Sequence, residues 1–224
     1  MLHQIAALWA KYSYVFLQGL GGTMWYSLIS VAFAVFFGTI LAVMRLSRFK
    51  PFEWLVDGYL WIIRGTPILL QLYFFWLGVP KLLNLQIPED VCIITALIVN
   101  ASAYVCEVIR AGIQAVDYGQ TEAAKSLGLS DFNAMTRIIL PQAIKNILPA
   151  LGNEFIVMVK QTSLASVFFL PELMTAQKTV QSATFLPLPA MIIAGLIYLF
   201  VTTVLTFGLQ FFERMLHKSE RSVA

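Results

Sequence analysis

The sequence predicts an all-helical integral membrane protein, and three observations indicate this fold class. Of the 224 residues, 59% are hydrophobic and 12% are charged, whereas an average soluble domain has about 25% charged residues. Two stretches, 12–44 and 179–212, contain no charge, and each exceeds the roughly 20 apolar residues that cross a bilayer. Basic residues are also concentrated in some connecting segments and scarce in others. Lipid is therefore the expected solvent for most of the surface.

Five segments are apolar enough to be membrane spans. The two uncharged stretches supply the first and last spans, and three apolar segments between them each include charged residues. A further amphipathic stretch, residues 2–15, is expected to lie along the membrane interface. We predict the spans at about 18–45, 54–80, 90–113, 146–170 and 184–212.

The basic residues predict the orientation of the chain. With the C-terminus in the cytoplasm, the cytoplasmic segments contain ten lysines and arginines, and the outer segments contain three. Cytoplasmic loops carry an excess of basic residues, so the N-terminus is predicted to lie outside. The ten are Arg45, Arg48, Lys50, Arg110, Lys125, Arg137, Lys145, Arg214, Lys218 and Arg221, and the three are Lys11, Lys81 and Lys178. The chain is then a single transmembrane domain, 1–224, with one large cytoplasmic loop at 114–145.

Several functional classes are disfavoured by the composition. A net charge of +3 without a basic stripe interleaved with aromatic residues argues against nucleic-acid binding. Cys92 and Cys106 lie in an apolar stretch with no Cys-x-x-Cys motif, so we expect two small buried side chains. The sequence has no zinc motif, no basic n-region of a cleaved signal peptide and no Gly-rich phosphate loop. If this chain is part of a pump, the energy for transport is therefore expected to come from a partner protein.

The large cytoplasmic loop is predicted to form a helix, a turn and a second helix. Thr121 is placed to cap the first helix, with Glu122 favourable near its positive end. Gly128 can adopt the left-handed conformation that ends a helix. Ser130 can cap the second helix, with Asp131 in its first turn. The small alanines between these residues would let another surface approach closely.

This loop resembles the EAA loop of ABC-importer permeases. The family pattern is Glu-Ala-Ala, three residues, Gly, nine residues and Ile-x-Leu-Pro, and the chain matches it at Glu122, Ala123, Ala124, Gly128, Ile138, Leu140 and Pro141. In the family, the loop forms a coupling helix that docks on the ATP-hydrolysing subunit. The resemblance implies a five-span helical bundle of the ABC-importer permease type. It implies the coupling role for Gln120, Glu122, Ala123, Ala124, Gly128 and Leu129.

Three further segments resemble the branch of these permeases that carries polar amino acids. They are Arg64-Gly65-Thr66-Pro67 with Gln71; Asn100-Ala101-Ser102-Ala103-Tyr104 with Glu107 and Arg110; and Asn153-Glu154-Phe155 with Lys160, Thr162, Ser163 and Leu164. The common version of the last segment has an acidic residue before Thr-Ser-Leu. This chain has Gln161 there, which removes a charge near the outer part of the fourth span.

Two interpretations of the polar residues within the spans stay open. Ionisable groups there are costly and face the bundle interior or a water-filled cavity. In the structural interpretation, Glu107 and Arg110 pair on one helical face, and Glu154 pairs with Lys160. In the same interpretation, the Gly-Thr-Pro sequence at 65–67 is a helix kink.

In the functional interpretation, these residues line a cavity for an amino acid. Hydroxyl and freed backbone donors near Thr66 suit a carboxylate. The carboxylates of Glu107 or Glu154, and carbonyls freed by Pro67, suit an ammonium. Glu154 in a low-dielectric site favours a basic amino acid, and a neutral amide-bearing one such as glutamine is the alternative. The candidate substrate-binding residues are Arg64, Gly65, Thr66, Pro67, Gln71, Asn100, Tyr104, Glu107, Glu154, Lys160 and Ser163.

The resemblance also implies the assembly and the mechanism. It implies a second permease subunit, identical or homologous, two cytoplasmic ATPase subunits that bind ATP and magnesium, and an extracytoplasmic amino-acid-binding protein. The expected mechanism is alternating access in the bacterial cytoplasmic (inner) membrane, with no chemistry, cofactor or metal in this chain. The alternatives are an ABC permease for another small solute, such as methionine or an oxyanion, an integral membrane enzyme and a channel.

Overall fold

The computed structural model describes residues 1–47 and 49–221, so Arg48, which contributed to the predicted orientation, lies outside the described residues. The model is 89% helix, with no strand in the described ranges. The α-helices in chain order are α1 (Leu2–Leu46), α2 (Lys50–Gly65), α3 (Ile68–Tyr73), α4 (Val79–Leu83), α5 (Glu89–Gln114), α6 (Tyr118–Ser126), α7 (Asp131–Ala134), α8 (Leu140–Gln161), α9 (Leu173–Thr184) and α10 (Pro187–Arg221). Among these, α1, α5 and α10 are each long and apolar enough to cross a membrane alone.

The first helix is longer than the sequence predicts. Residues 2–15 do not form a separate interfacial helix, because α1 runs without a break from Leu2 to Leu46. Its 45 residues extend for about 68 Å at 1.5 Å per residue, more than twice the roughly 30 Å of a hydrocarbon core. The N-terminal part packs through Leu8 and Phe16 on α9 and α10. The prediction of an interfacial helix was wrong because residues 2–15 pack in an apolar cluster with α9 and α10, and this packing keeps them in line with the rest of α1.

Two glycines allow α1 to approach its neighbours closely. A Cβ atom at Gly22 would lie 1.9 Å from the carbonyl oxygen of Pro171, and one at Gly38 would lie 2.6 Å from a Val105 methyl group. Thr23, the residue after Gly22, accepts a hydrogen bond through its hydroxyl oxygen from the backbone N–H of Leu173 at 3.1 Å. The helix therefore contacts both α5 and the α8–α9 connection at backbone distance.

The second predicted span is broken rather than straight. The axis of α2 and that of the helical segment 68–83 differ by 105°, which confirms the predicted kink at 65–67. That segment consists of α3, a π-helical turn (Phe74–Gly78) and α4, and it ends at Asn84 with a φ of 52°. Proline cannot donate a backbone hydrogen bond, so the break falls at Pro67.

The fourth predicted span is part of a longer bent element. A π-helical turn (Met135–Ile139) joins α7 to α8, and a 3₁₀ segment (Thr162–Phe168) follows α8. The combined helix 131–168 and α9 differ in direction by 46°. If each bent pair is one span, length and composition allow up to five spans, and the five-span boundaries stay a prediction.

The main core lies where α1, α3, α5 and α8 meet. It includes Ala34, Leu72, Leu97 and Met158, all buried. Both cysteines are free, with Cys92 buried on α5 and Cys106 buried beside α1 and α2. The prediction that they are small buried side chains is confirmed.

Candidate functional site

The helix break is held together by a buried glutamine. Pro67 has no N–H to give to the carbonyl of Ile63, four residues earlier. The Gln71 side chain replaces it, because its Nε2 donates to the Ile63 oxygen at 2.7 Å. The same Nε2 reaches the carbonyl oxygen of Thr66 at 3.2 Å and its hydroxyl at 2.9 Å. The carbonyl that the sequence suggested for an ammonium is therefore already satisfied inside the protein.

Two other polar residues at the break donate hydrogen bonds within the protein. The Thr66 hydroxyl donates to the carbonyl of Ile62 at 2.8 Å, so its proton is not available to a carboxylate. Asn100 is buried on α5 and donates through Nδ2 to Oε1 of Gln71 at 2.9 Å. Thr66, Gln71 and Asn100 thus connect α5 to the broken span, and the buried Oδ1 of Asn100 has no hydrogen-bond partner among the described residues.

Charged side chains from three helices meet at Glu107. Arg110 donates to Glu107 at 2.8 Å, which confirms the predicted pair. Arg45 at the end of α1 pairs with the other oxygen of Glu107 and lies 2.8 Å from Asp57 of α2. Arg64 approaches Glu107 to 3.6 Å and lies over the Tyr104 ring, 5.9 Å from its centre. Glu107 is therefore neutralised by arginines and is a poor partner for a substrate ammonium.

Glu154 has a different environment. The alternative in which it pairs with Lys160 is wrong, because within residues 1–47 and 49–221 neither side chain forms an ion pair with the other. Six residues rotate an α-helix by about 240° beyond a full turn, so the two side chains point to different sides of α8. Glu154 is half-buried and Lys160 is exposed. The half-buried carboxylate of Glu154 therefore has no ion-pair partner among the described residues.

The exposed face of α8 carries a polar stripe. Asn146, Asn153 and Lys160 are all exposed and follow one another at intervals of seven residues, which places them on one side of the helix. The stripe covers about 21 Å along the axis. Polar groups within a membrane face protein or water rather than lipid, so this stripe marks the side of α8 that does not face the hydrocarbon.

Lys160 and Ser163 also line a cavity of about 450 Å³. The other lining residues come from the 3₁₀ segment, α9 and α10, and they include Ser166, Lys178 and Tyr198. The Ser163 hydroxyl donates to the carbonyl of Lys160 at 2.6 Å. Lys178 was not expected to line this cavity because it lies outside the predicted spans, and the bend before α9 brings it to Lys160.

The loop at 114–145 has the predicted helix–turn–helix form with one correction. Thr121 is not the cap, because α6 begins three residues earlier, at Tyr118, and Asp117 accepts a hydrogen bond from the N–H of Gly119 at 2.7 Å. Gly128 has a φ of +80° and ends the helix as predicted. Ser130 caps α7 by accepting from the N–H of Asn133 at 3.3 Å, which confirms the second cap. An ion pair of 2.9 Å between Lys125 and Asp131 spans the turn.

The residues predicted to couple to an ATPase subunit differ in exposure. Glu122 and Ala123 are exposed, whereas Ala124 is buried, so Ala124 packs α6 onto the rest of the loop and, of the two alanines, Ala123 is the one open to a partner. Large apolar side chains are exposed close by, namely Tyr118, Leu127 and Phe132. Clusters of exposed apolar side chains mark interaction sites more often than single ones do.

Residues 34–218 match the family model described as the binding-protein-dependent transport system inner membrane component. The chain belongs to this family. It is 40% identical over 204 residues to the arginine transport system permease protein ArtQ of Bacillus subtilis, covering 91% of this chain and 93% of that protein. It is 38% identical to the probable glutamine ABC transporter permease protein GlnM of the same organism, covering 92% and 94%.

Solved structures agree with this assignment. The crystal structure of an amino acid ABC transporter with histidines has a TM-score of 0.89 and 42% identity, covering 92% of this chain and 96% of that chain. An inward-facing MetNI methionine ABC transporter has a TM-score of 0.73 at 14% identity, which supports the fold alone. The chain is therefore an integral membrane permease subunit of an ABC importer, and ATP hydrolysis belongs to a separate subunit.

Proposed function

We propose that this permease imports a polar amino acid, and that the amino acid is cationic. The observation that carries the charge preference is Glu154, a half-buried carboxylate with no ion-pair partner among the described residues. A carboxylate at low dielectric attracts a cation much more strongly than it would in water, and burying it without a partner is costly. The relative named for arginine supports the same choice.

The substrate path runs between Glu154 and the polar stripe of α8, because Glu154 is about 100° from Asn153 around the helix axis. Asn146 and Asn153 offer amide groups that can donate and accept, so they suit either end of a zwitterion without binding it tightly. The second permease subunit closes the other side of this path. The arginine-rich cluster at Glu107 and the brace at Gln71 hold the helices around the path rather than contacting the substrate, and Arg64 and Tyr104 form the edge of that cluster.

The cytoplasmic loop couples this path to ATP hydrolysis. The exposed side of α6, with Gln120, Glu122 and Ala123, docks on an ATPase subunit, and Gly128 and Leu129 fix the turn that follows. The two ATPase subunits bind ATP and magnesium. The N-terminus lies outside and the loop lies in the cytoplasm, in the cytoplasmic (inner) membrane, as the distribution of basic residues favours. An extracytoplasmic binding protein delivers the amino acid.

The substitution Glu154→Gln tests the substrate assignment. It keeps the size and hydrogen-bonding capacity of the side chain and removes its charge. Because Glu154 is only half-buried, we expect a loss near the lower end of a desolvated charge pair, about 2 kcal/mol, or roughly 30-fold in the uptake efficiency for arginine. Uptake is measured with the complete transporter in liposomes.

Glu89→Gln is the matched control, because Glu89 is an exposed carboxylate in the first turn of α5. It should leave arginine uptake unchanged. Equal arginine uptake by Glu154→Gln and the unmodified transporter would contradict the role of Glu154. Uptake of glutamine in preference to arginine by the unmodified protein would contradict the cationic assignment and leave an amide-bearing substrate.

A further inference from the structure

Three residues other than glycine have a left-handed backbone within residues 1–47 and 49–221. They are Asn84 with a φ of 52°, Phe169 with a φ of 57° and Phe185 with a φ of 55°. Asparagine adopts this conformation more readily than most residues, whereas a bulky aromatic residue is strained there. Just after α6 the chain has Gly128 in the same region, with a φ of +80°. Glycine would relieve the strain at positions 169 and 185 in the same way, yet the chain has phenylalanine at both.

The two phenylalanines do not recover this cost inside the protein. Phe185 is 88% exposed and Phe169 is 81% exposed, so neither ring adds to the core of the described residues. Phe185 follows the last residue of α9, where its N–H donates to the carbonyl of Gln181 at 2.8 Å, and Phe169 ends the 3₁₀ segment before α9. Backbone strain that a protein keeps is concentrated at functional sites. The rings are therefore exposed for a purpose other than folding.

The helix between the two phenylalanines is firmly attached to its neighbours. The backbones of α1 and of the α8–α9 connection are in direct contact at Gly22 and Pro171. Glu172 caps α9 by accepting from two backbone N–H groups of its first turn at 2.6 and 2.8 Å, and it accepts from the Tyr198 hydroxyl of α10 at 3.1 Å. Because α9 is fixed to α1 and α10, the two rings are held at fixed positions, which lowers the entropy cost of binding a partner.

The outward face of α9 is polar. Leu173 and Val180 are buried against α1 and α10, whereas Lys178, Thr179 and Ser182 are exposed. Polar groups of a membrane protein face water or protein rather than hydrocarbon. The two phenylalanines therefore border a surface that meets water or another protein, not the lipid interior.

This surface lies on the side of the membrane opposite the coupling loop. In the five-span arrangement, α9 belongs to the connection between the fourth and fifth spans, and the loop at 114–145 lies between the third and fourth. Successive connections alternate between the two sides, so a partner of α9 is on the side that the ATPase subunits do not reach. The family is described as binding-protein-dependent, which requires contact with a soluble protein on that side.

We propose that Phe169 and Phe185 are the aromatic anchors on which the extracytoplasmic binding protein docks. This inference rests on the proposed function and adds the residues that receive this partner. The 12 residues of α9 place the anchors roughly 20 Å apart. A standard interface covers about 800 Å² per partner, a patch roughly 30 Å across, which includes both rings. The matching surface of the binding protein has an apolar pocket for each ring and polar or acidic groups opposite Lys178.

The substitution Phe185→Asn separates docking from folding, because asparagine tolerates the left-handed backbone and removes the ring. The complete transporter in nanodiscs is titrated with the amino-acid-loaded binding protein that stimulates its ATP hydrolysis. The concentration that gives half-maximal stimulation should rise about tenfold or more. The melting temperature of the transporter should be equal or higher, since the strain is relieved. Phe169→Asn should act in the same direction, and Phe185→Tyr should keep most of the affinity because it keeps the ring.

Tyr14→Asn is the matched control, because Tyr14 is an exposed aromatic residue within the regular helix α1. It should leave the half-maximal concentration unchanged. An unchanged concentration in Phe185→Asn would overturn the proposal. A lower melting temperature with that concentration unchanged would assign the ring to lipid, and loss of the second permease subunit from the purified Phe185→Asn complex would assign it to the contact between permeases. Each of these results would also overturn it.

A failure of the proposed function gives a different result. If no amino-acid-loaded binding protein stimulates the unmodified transporter, delivery by a binding protein fails, and docking at α9 fails with it. If stimulation requires a binding protein loaded with glutamine rather than arginine, only the cationic assignment fails. The comparison of Phe185→Asn with the unmodified transporter then still decides the docking surface.

Discussion

Replacing Glu107 with glutamine should destabilise the bundle more than any other single loss of charge near α5. The side chain of Glu107 is 18% exposed, and those of its partners Arg45 and Arg110 are 23% and 29% exposed. Breaking a buried ion pair by removing one partner costs about 3–5 kcal/mol, and an exposed pair is worth about 0–1 kcal/mol. Because this cluster is mostly but not wholly buried, we expect about 2–3 kcal/mol.

The buried cysteines report this change directly. Cys106 lies in the contact of α5 with α1 and α2, next to Glu107, and Cys92 lies near the other end of α5. Labelling of a buried thiol samples its transient opening, so 2–3 kcal/mol raises the labelling rate of Cys106 by roughly 30- to 150-fold. The rate is measured by maleimide labelling and mass spectrometry of this chain in the purified transporter. Cys92 should respond less if the opening is local.

The matched control for this experiment is Glu53→Gln. Glu53 also pairs with a cation, Lys50, at 2.6 Å, but the two side chains are 35% and 70% exposed. Its loss should leave the labelling of Cys106 within a few-fold of the unmodified protein. Similar labelling rates in Glu107→Gln and Glu53→Gln would refute the view that the arginine cluster holds α1, α2 and α5 together.

Two further predictions concern the cytoplasmic loop and the orientation. Gly128→Val should abolish coupled transport with normal membrane insertion, because a β-branched residue is strained at a φ of +80°. Charge reversal by Glu122→Lys should weaken recovery of the ATPase subunit in a pull-down. Normal transport and recovery in both variants would exclude this loop as the coupling element. A cysteine at Asn84 should react with an impermeant reagent in intact cells while one at Ser126 is shielded, and the reverse pattern would overturn the topology.

The sequence predicts this fold well where local chemistry decides the structure. The kink at Pro67, the left-handed Gly128, the Ser130 cap and the Glu107–Arg110 pair are confirmed. Each depends on residues within a few positions of one another. These local effects are the same in many folds. Proline breaks a helix because it lacks an N–H, glycine adopts positive φ because it lacks a Cβ, and residues at i and i+3 meet on one face of a helix.

The sequence predicts less where distant residues meet. Arg45 entered the sequence argument only as a basic residue that indicates orientation, yet it joins Asp57 and Glu107 across three helices. Thr121 failed as a cap because Asp117, a residue with the same preference, begins the helix earlier. Lys178 comes to Lys160 only through the bend before α9. No periodicity in the sequence encodes those contacts, because they depend on how the helices pack.

ATP-driven uptake of arginine tests the central claim most directly. The transporter is assembled in liposomes from this chain, its partner permease if that differs, and the ATPase subunit, with the binding protein supplied on the outer side. We predict that labelled arginine accumulates against its gradient only when ATP and the binding protein are both present. Entry of arginine that needs neither ATP nor the binding protein and stops at equal concentrations on both sides would indicate a channel. No accumulation of any amino acid under these conditions would contradict the account.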